Sequence, residues 1–251
     1  MSGLIDSYKK IYEDKKAHLW IFLIALVWTV ASTNFDIFLQ EGVPKNNPID
    51  LVFNILIGIL SLKFLHEAIN NSATSILNKI DLGFKNVLIL ILLNIVWGVY
   101  AVIAATFALV AYIATHSFIL PILIISALLL ISVFVYYIFL GFADDFNSKG
   151  LWNIKRIFDF IKPTYKDLYI KTILFILFTI FAAVIYVLIY TVAGLTGIDK
   201  IWNIAGDWYA LDLLMNSFAA YFCIVTWYFA FPYSLISSYK EKVRPILGKD
   251  E

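Results

Sequence analysis

Long apolar stretches without charge alternate with short charged stretches along the whole chain. The longest of them, residues 86–143, contains no Asp, Glu, Lys or Arg. A helix rises 1.5 Å per residue, so about 20 residues cross the roughly 30 Å hydrocarbon core of a bilayer. This stretch is too long for one such helix and fits two, with Ala114–Pro121 as the turn between them. The pattern therefore predicts a helical hairpin near the middle of the chain.

Four further apolar segments have the length of a membrane-spanning helix. Their apolar residues are consecutive rather than alternating, which favours helices over the strands of a barrel. The sequence therefore predicts an all-α fold: a polytopic membrane helical bundle of six transmembrane helices with cytoplasmic amphipathic helices, forming one membrane domain over residues 1–251. The predicted spans are residues 18–38, 49–68, 87–114, 118–142, 172–192 and 211–235.

The second predicted span has the shortest uncharged sequence. Its uninterrupted apolar part is Leu51–Leu62, and Lys63 follows directly. Residues 49–68 are long enough to cross a bilayer if the Lys63 side chain extends to the near interface. The alternative interpretation is a re-entrant or interfacial segment.

The positively charged residues predict the orientation of the spans. With six spans, all but two of the 19 Lys and Arg residues fall on the side of the N-terminus, and only Lys45 and Lys200 fall on the other. Lys and Arg collect in cytoplasmic loops, so both chain ends are predicted to be cytoplasmic. The excess of Lys over Arg, with abundant Ile and Asn, is typical of AT-rich bacterial genomes and indicates a bacterial plasma (inner) membrane. The alternative for the first apolar segment is a cleaved signal peptide.

Three charged segments that precede predicted hairpins have the pattern of amphipathic helices. Such helices lie in the headgroup plane, so membrane lipids are the predicted partners; the alternative is that they are connectors packed on the bundle. Their similar endings suggest a parallel three-part repeat, with chance similarity as the alternative. The apolar stripes are Leu4, Ile5, Tyr8, Ile11 and Tyr12; Ile76, Leu77, Ile80 and Phe84; and Leu151, Ile154, Ile157, Phe158 and Ile161.

An amphipathic charged segment, Ser148–Tyr169, leads into the fifth predicted span. In this feature and in its overall hydropathy, the chain resembles a loose group of uncharacterised bacterial six-span membrane proteins. The membrane domain fused to some glycerophosphodiester phosphodiesterases is of this type. The resemblance implies a six-span membrane domain and no known activity, and it assigns no role to any residue.

A few polar residues lie inside the predicted spans. Asp212 and Asn216 are four positions apart and share one face of the last span, while Asn54 and Asn94 lie in the second and third. An acid within a span usually faces the bundle interior or a water-filled path, so these four residues form a candidate polar path. The alternative is that Asp212 is an anchor at the interface and that Asn54 and Asn94 form interhelical hydrogen bonds.

The sequence predicts no catalytic residue, cofactor or metal site. The three histidines lack ligand spacing, Cys223 is the single cysteine, and no nucleotide-binding or hydrolase motif occurs. The pair Asp144 and Asp145 offers carboxylates for a cation beside headgroup phosphates; the alternative is a solvated loop. A net charge of +1 gives no indication of nucleic-acid binding.

Three functions are compatible with these patterns. The first is a non-enzymatic membrane module that organises lipid or supports a partner, either another membrane protein or a second copy of the chain. The second is a small-solute transporter or export factor, which requires Asp212, Asn216, Asn94 and Asn54 to converge. The third, a membrane enzyme acting on lipid, is disfavoured by the shortage of paired acids and histidines. The sequence favours the first.

Overall fold

Helices form almost all of the structure, a computed structural model that describes residues 2–13, 15–38, 48–70, 83–117, 119–121, 124, 135–147, 154–197, 203–205 and 208–248. The predicted helical fold class is confirmed for this part of the chain. The helices with described bounds begin, in chain order, with α1 (Ser2–Tyr12), α2 (Lys15–Phe38), α3 (Pro48–Ile69), α4 (Gly83–Thr115), α5 (Val135–Asp145) and α6 (Ile154–Thr196).

The last helical segment runs from Ala210 to Leu247 and is termed the C-terminal helix. A short antiparallel pair of strands, β1 (Asn203–Ala205) and β2 (Trp208–Tyr209), precedes it. Along its length the helix twice changes from α to π hydrogen bonding. Its parts are α7 (Ala210–Ile224), π1 (Val225–Ala230), α8 (Phe231–Ser234), α9 (Ile236–Ser238), π2 (Tyr239–Val243) and α10 (Arg244–Leu247).

Two prolines account for the interruptions of the C-terminal helix. A proline has no N–H and clashes with the carbonyl four residues before it, so the helix adjusts upstream of each one. π1 ends just before Pro232, and π2 ends just before Pro245. The carbonyl four residues before Pro232 belongs to Tyr228, and it accepts a hydrogen bond from Ser61 Oγ of α3. The irregular turn therefore bonds a neighbouring helix.

Three helices in the described part are long and apolar enough to cross a membrane, by length and composition. They are Val52–Ile69, Asp159–Thr196 and Ala210–Leu247, and they coincide with the second, fifth and sixth predicted spans. The first and third predicted spans lie within α2 and α4, where the described residues include the shorter apolar helical stretches Ala17–Ala31 and Ala105–Thr115. Of the fourth predicted span, only residues 119–121, 124 and 135–142 are described. Within the described residues, length and composition together thus support three of the six spans.

Helix α6 differs from the sequence prediction because it is continuous. The sequence predicted an amphipathic segment followed by a separate span at residues 172–192, whereas one helix of 43 residues covers the span and residues 154–169 of the segment. At 1.5 Å per residue it is about 65 Å long, roughly twice the thickness of a hydrocarbon core. A single stripe of buried side chains continues across the predicted boundary between segment and span, and its packing stabilises the continuous helix. The stripe consists of Phe160, Thr164, Leu168, Thr172 and Phe175.

Helix α1 packs on the bundle, against α8 and π1. Its buried side chains are Ser7 and Ile11, whereas Ile5 and Tyr12 of the predicted apolar stripe are 65% and 52% exposed. This is the connector arrangement that the sequence left open as an alternative. Residues 76–80 of the second amphipathic segment lie outside the described residues.

The core lies around the second half of the C-terminal helix. α2 packs along α7, and α3 packs against α5. Large aromatic side chains from four helices and from π1 and π2 fill the space between them. Those that are fully buried are Phe64, Tyr137, Phe142, Phe160, Phe175, Phe229, Phe231 and Tyr239.

Candidate functional site

Two residues of the predicted polar path form hydrogen bonds between helices. Tyr228 Oη donates to Asn54 Oδ1 at 2.7 Å and connects the C-terminal helix to α3. Tyr186 Oη donates to Asn216 Oδ1 at 3.0 Å and connects α6 to α7. Interhelical bonding was the alternative predicted for Asn54, and Asn216 behaves in the same way. The sequence analysis did not identify either tyrosine partner.

For the other two residues of the predicted path, Asp212 and Asn94, the structure shows no hydrogen bond between helices within the described residues. Asp212 lies in the first turn of α7, where the helix dipole favours a negative charge. Its Oδ1 atom is buried and has no hydrogen-bond partner in the described part of the chain. The side chain of Asn94 lies outside the described residues, although its backbone belongs to α4. Convergence of all four residues is therefore not observed.

An open groove with a volume of about 350 Å³ lies between α2 and the C-terminal helix. Its size is at the lower end of the range for small-molecule sites, about 300–1,000 Å³. The lining is mostly apolar, and one residue of the predicted path, Asn216, belongs to it. The groove is lined by Trp28, Thr29, Asn216, Ala220, Cys223, Ile224, Trp227 and Tyr228.

The polar atoms along the groove are mostly engaged elsewhere. Trp28 Nε1 donates to Asp50 Oδ1 at 2.6 Å, and Thr29 Oγ1 donates to the Ala25 carbonyl at 2.8 Å. The Tyr228 hydroxyl donates to Asn54 Oδ1. These bonds occupy the polar groups of Trp28, Thr29 and Tyr228, and the lining of the groove is mostly apolar.

The Asn216 amide is the exception. Its oxygen accepts the Tyr186 hydroxyl, but its Nδ2 group donates to no atom in the described part of the chain. The side chain is exposed and lines the groove. The groove therefore combines apolar walls with an amide donor.

At the other end of α3, a buried carboxylate connects α5 to the C-terminal helix. The side chain of Asp144 is only 3% exposed; Tyr239 Oη donates to its Oδ2 atom at 2.9 Å, and Arg244 Nε lies 3.1 Å from the same oxygen. Asn70 Nδ2 donates to the Asp144 carbonyl at 3.2 Å. The predicted solvated loop is therefore wrong for Asp144, because its side chain is buried in the last turn of α5. Its neighbour Asp145 is exposed.

A second carboxylate, Asp167 of α6, fixes the same part of the C-terminal helix. It forms an ion pair with Lys242 and accepts a hydrogen bond from Ser238 Oγ at 3.3 Å. Tyr137 of α5 in turn donates to Ser238 Oγ at 3.1 Å. Acids of α5 and α6 thus pair with bases that follow the last predicted span. The signal in the sequence was the opposite charge of segments predicted to lie on the same side.

Two residues attach α1 and α2 to the C-terminal helix. The Tyr8 hydroxyl lies 2.7 Å from Thr226 Oγ1 of π1, and burial raises the pKa of Tyr8 to about 12. The phenol therefore stays protonated at neutral pH. His18 Nε2 donates to the Ile11 carbonyl at 3.0 Å, so in the neutral ring Nδ1 accepts from the Tyr221 hydroxyl. These contacts join α1, α2 and α7.

The described His, Cys, Asp and Glu residues form no group of three or more that is able to hold a metal ion. No family model, curated protein or solved structure matches the chain. The fold and site together define a helical protein in which three described helices are long and apolar enough to cross a membrane. Hydrogen bonds and ion pairs between helices engage many of its inward polar side chains.

Proposed function

We propose that this protein is a non-enzymatic membrane module of six spans that organises lipid around its helical bundle. The observation that carries the proposal is that two residues of the candidate polar path are hydrogen-bonded to neighbouring helices. Asn54 and Asn216 are bonded to tyrosines of neighbouring helices, and the groove that Asn216 lines is open and mostly apolar. A solute path needs polar groups that face a continuous aqueous space, whereas an open apolar groove suits lipid.

The six spans and their orientation extend this proposal. The hydropathy of the chain, the lysine distribution and the resemblance to bacterial six-span membrane domains support the count and a plasma-membrane location. Both chain ends then lie in the cytoplasm. In this arrangement, the ion pairs of Asp144 and Asp167 lie at the cytoplasmic ends of the spans.

Cysteine labelling tests the topology. In a Cys223→Ser background, we expect Lys45→Cys to react with a membrane-impermeant maleimide applied to intact spheroplasts. Lys79→Cys and Lys162→Cys should react only after permeabilisation. Protection of Lys79→Cys establishes that residues 49–68 cross, because a re-entrant segment would place it on the side of Lys45→Cys. Labelling of Lys45→Cys and Lys162→Cys from one side would refute the six-span arrangement.

Reconstitution tests the lipid role against transport. We expect the purified protein to retain phospholipid through size exclusion in mild detergent, as counted by native mass spectrometry. Proteoliposomes should show the same K⁺ flux, proton flux and uptake of a mixture of labelled amino acids and sugars as empty vesicles. Uptake that Asn54→Leu and Asn216→Leu both abolish would replace the proposal with a transporter. Complete loss of lipid during purification would also count against it.

A further inference from the structure

We infer that the groove between α2 and the C-terminal helix binds one acyl chain of a diester glycerolipid, with Asn216 Nδ2 donating to the ester carbonyl. The inference rests on the proposed function and names the ligand of the groove. It follows from three observations: the shape of the groove, its wall chemistry and the unsatisfied amide.

The dimensions of the groove match one hydrocarbon chain. Its lining extends from Asn216 to Tyr228 along the C-terminal helix, which at 1.5 Å per residue is about 18 Å, somewhat more than half of a hydrocarbon core. A volume of about 350 Å³ over that length gives a mean cross-section of about 19 Å². A helix only 10 Å wide has a cross-section of about 79 Å². The groove is therefore too narrow for a helix of a partner or a second copy and fits one chain from one leaflet.

The walls fit an apolar occupant along most of this length. Ala220 and Cys223 have small side chains and leave space, while Trp28 and Trp227 supply large ring surfaces. The bond from Trp28 to Asp50 holds one of these rings in place. A flexible chain loses entropy when it is held, and a rigid wall lowers the additional cost of ordering the protein.

The Asn216 amide decides which kind of lipid fits. An amide N–H without a partner is unfavourable in hydrocarbon, where water does not compensate. Asn216 lies one turn, about 6 Å, from Asp212 at the start of the proposed last span. At this depth near the interface, the acceptors that a glycerolipid offers are its ester carbonyls. The donor and the carbonyl therefore satisfy each other when a chain occupies the groove.

A matched pair of lipids tests the carbonyl contact without any mutation. Two phosphatidylglycerols carry the same photoactivatable diazirine chain, one through ester bonds and the other through ether bonds that lack the carbonyl. In vesicles of otherwise identical composition, we expect the diester probe to label the peptides lining the groove about threefold to tenfold more than the diether probe. This range corresponds to one interhelical-type hydrogen bond in a bilayer.

Variants separate the roles of the amide and the groove. Asn216→Leu should abolish the preference for the diester. Tyr186→Phe, which removes the same side-chain hydrogen bond but keeps the amide, should retain it. Ala220→Phe should fill the groove and reduce labelling by both probes, whereas Ile189→Phe on the exposed face of α6 should not.

Equal labelling of the wild-type groove by the two probes, or a preference that persists in Asn216→Leu, would overturn the inference. Cross-links from the groove to a second protein chain would do the same. Native mass spectrometry on these samples counts total retained lipid. Retained lipid without an ester preference leaves the proposed function standing and removes only the inference. Loss of both removes the two together.

Discussion

Replacing Asp144 by Leu is expected to lower the free energy of unfolding by about 3 kcal/mol. The carboxylate is buried, and its loss removes the ion-pair partner of Arg244 and the acceptor of the Tyr239 hydroxyl. Arg244 is 32% exposed and regains some solvation, so the effect lies at the low end for a broken buried ion pair. Unfolding in mixed micelles with increasing SDS, followed by tryptophan fluorescence, measures the change.

The neighbouring acid provides the control for this prediction. Asp145 is exposed, and its Oδ1 atom accepts the backbone N–H of Asn147 at 2.9 Å. Asp145→Leu should therefore cost less than about 1 kcal/mol. The double variant Asp144→Leu with Arg244→Met should recover part of the loss, because it removes both charges. Equal destabilisation by Asp144→Leu and Asp145→Leu would show that the buried pair contributes nothing particular.

Replacing Phe231 by Ala is expected to lower the free energy of unfolding by about 3 kcal/mol. The ring is fully buried at the start of α8 and contacts Tyr136, Phe175 and Trp227, with centroid distances of 4.8, 5.2 and 5.5 Å. Lipid solvates apolar groups as well as the bundle does, so the loss comes from packing and from the cavity rather than from transfer. The value is therefore at the low end for a buried phenylalanine.

An exposed phenylalanine tests the origin of this effect. Phe181 of α6 is 63% exposed, so Phe181→Ala removes a ring of the same size without creating a cavity. We expect its effect to stay within about 0.5 kcal/mol under the same SDS titration. A loss for Phe181→Ala as large as that for Phe231→Ala would mean that composition, rather than packing around α8, determines the stability.

The sequence predicted the positions of the long helices well because their apolar length is a local property. α2 and α3 contain the predicted spans 18–38 and 49–68 with a difference of only a few residues at each end. The continuity of α6 was missed because charged residues after Phe160 resemble a surface segment. The stripe that keeps that helix together depends on contacts with the distant C-terminal helix. Local patterns carry no information about such contacts.

The sequence identified the polar residues of the candidate site by their type, but it did not identify their hydrogen-bond partners. Asn54 and Asn216 were recognised because amides are conspicuous in apolar spans, and their pairing with hydroxyls follows from the same solvent argument. Tyr228 and Tyr186 were missed, because tyrosine is common near membrane interfaces and its presence in a span is ambiguous. The Asp144 pairing was missed because Arg244 lies far along the chain, and opposite charge alone does not select one partner.

The contact between Tyr8 and Thr226 determines when α1 is able to pack during synthesis of the chain. These residues are 218 positions apart, so at 5–20 residues per second the ribosome needs about 10 to 45 s to make the second after the first. During that interval the part of the C-terminal helix against which α1 packs has not yet been synthesised. The earliest helix to leave the ribosome is therefore among the last to reach its final place, and assembly ends where translation began.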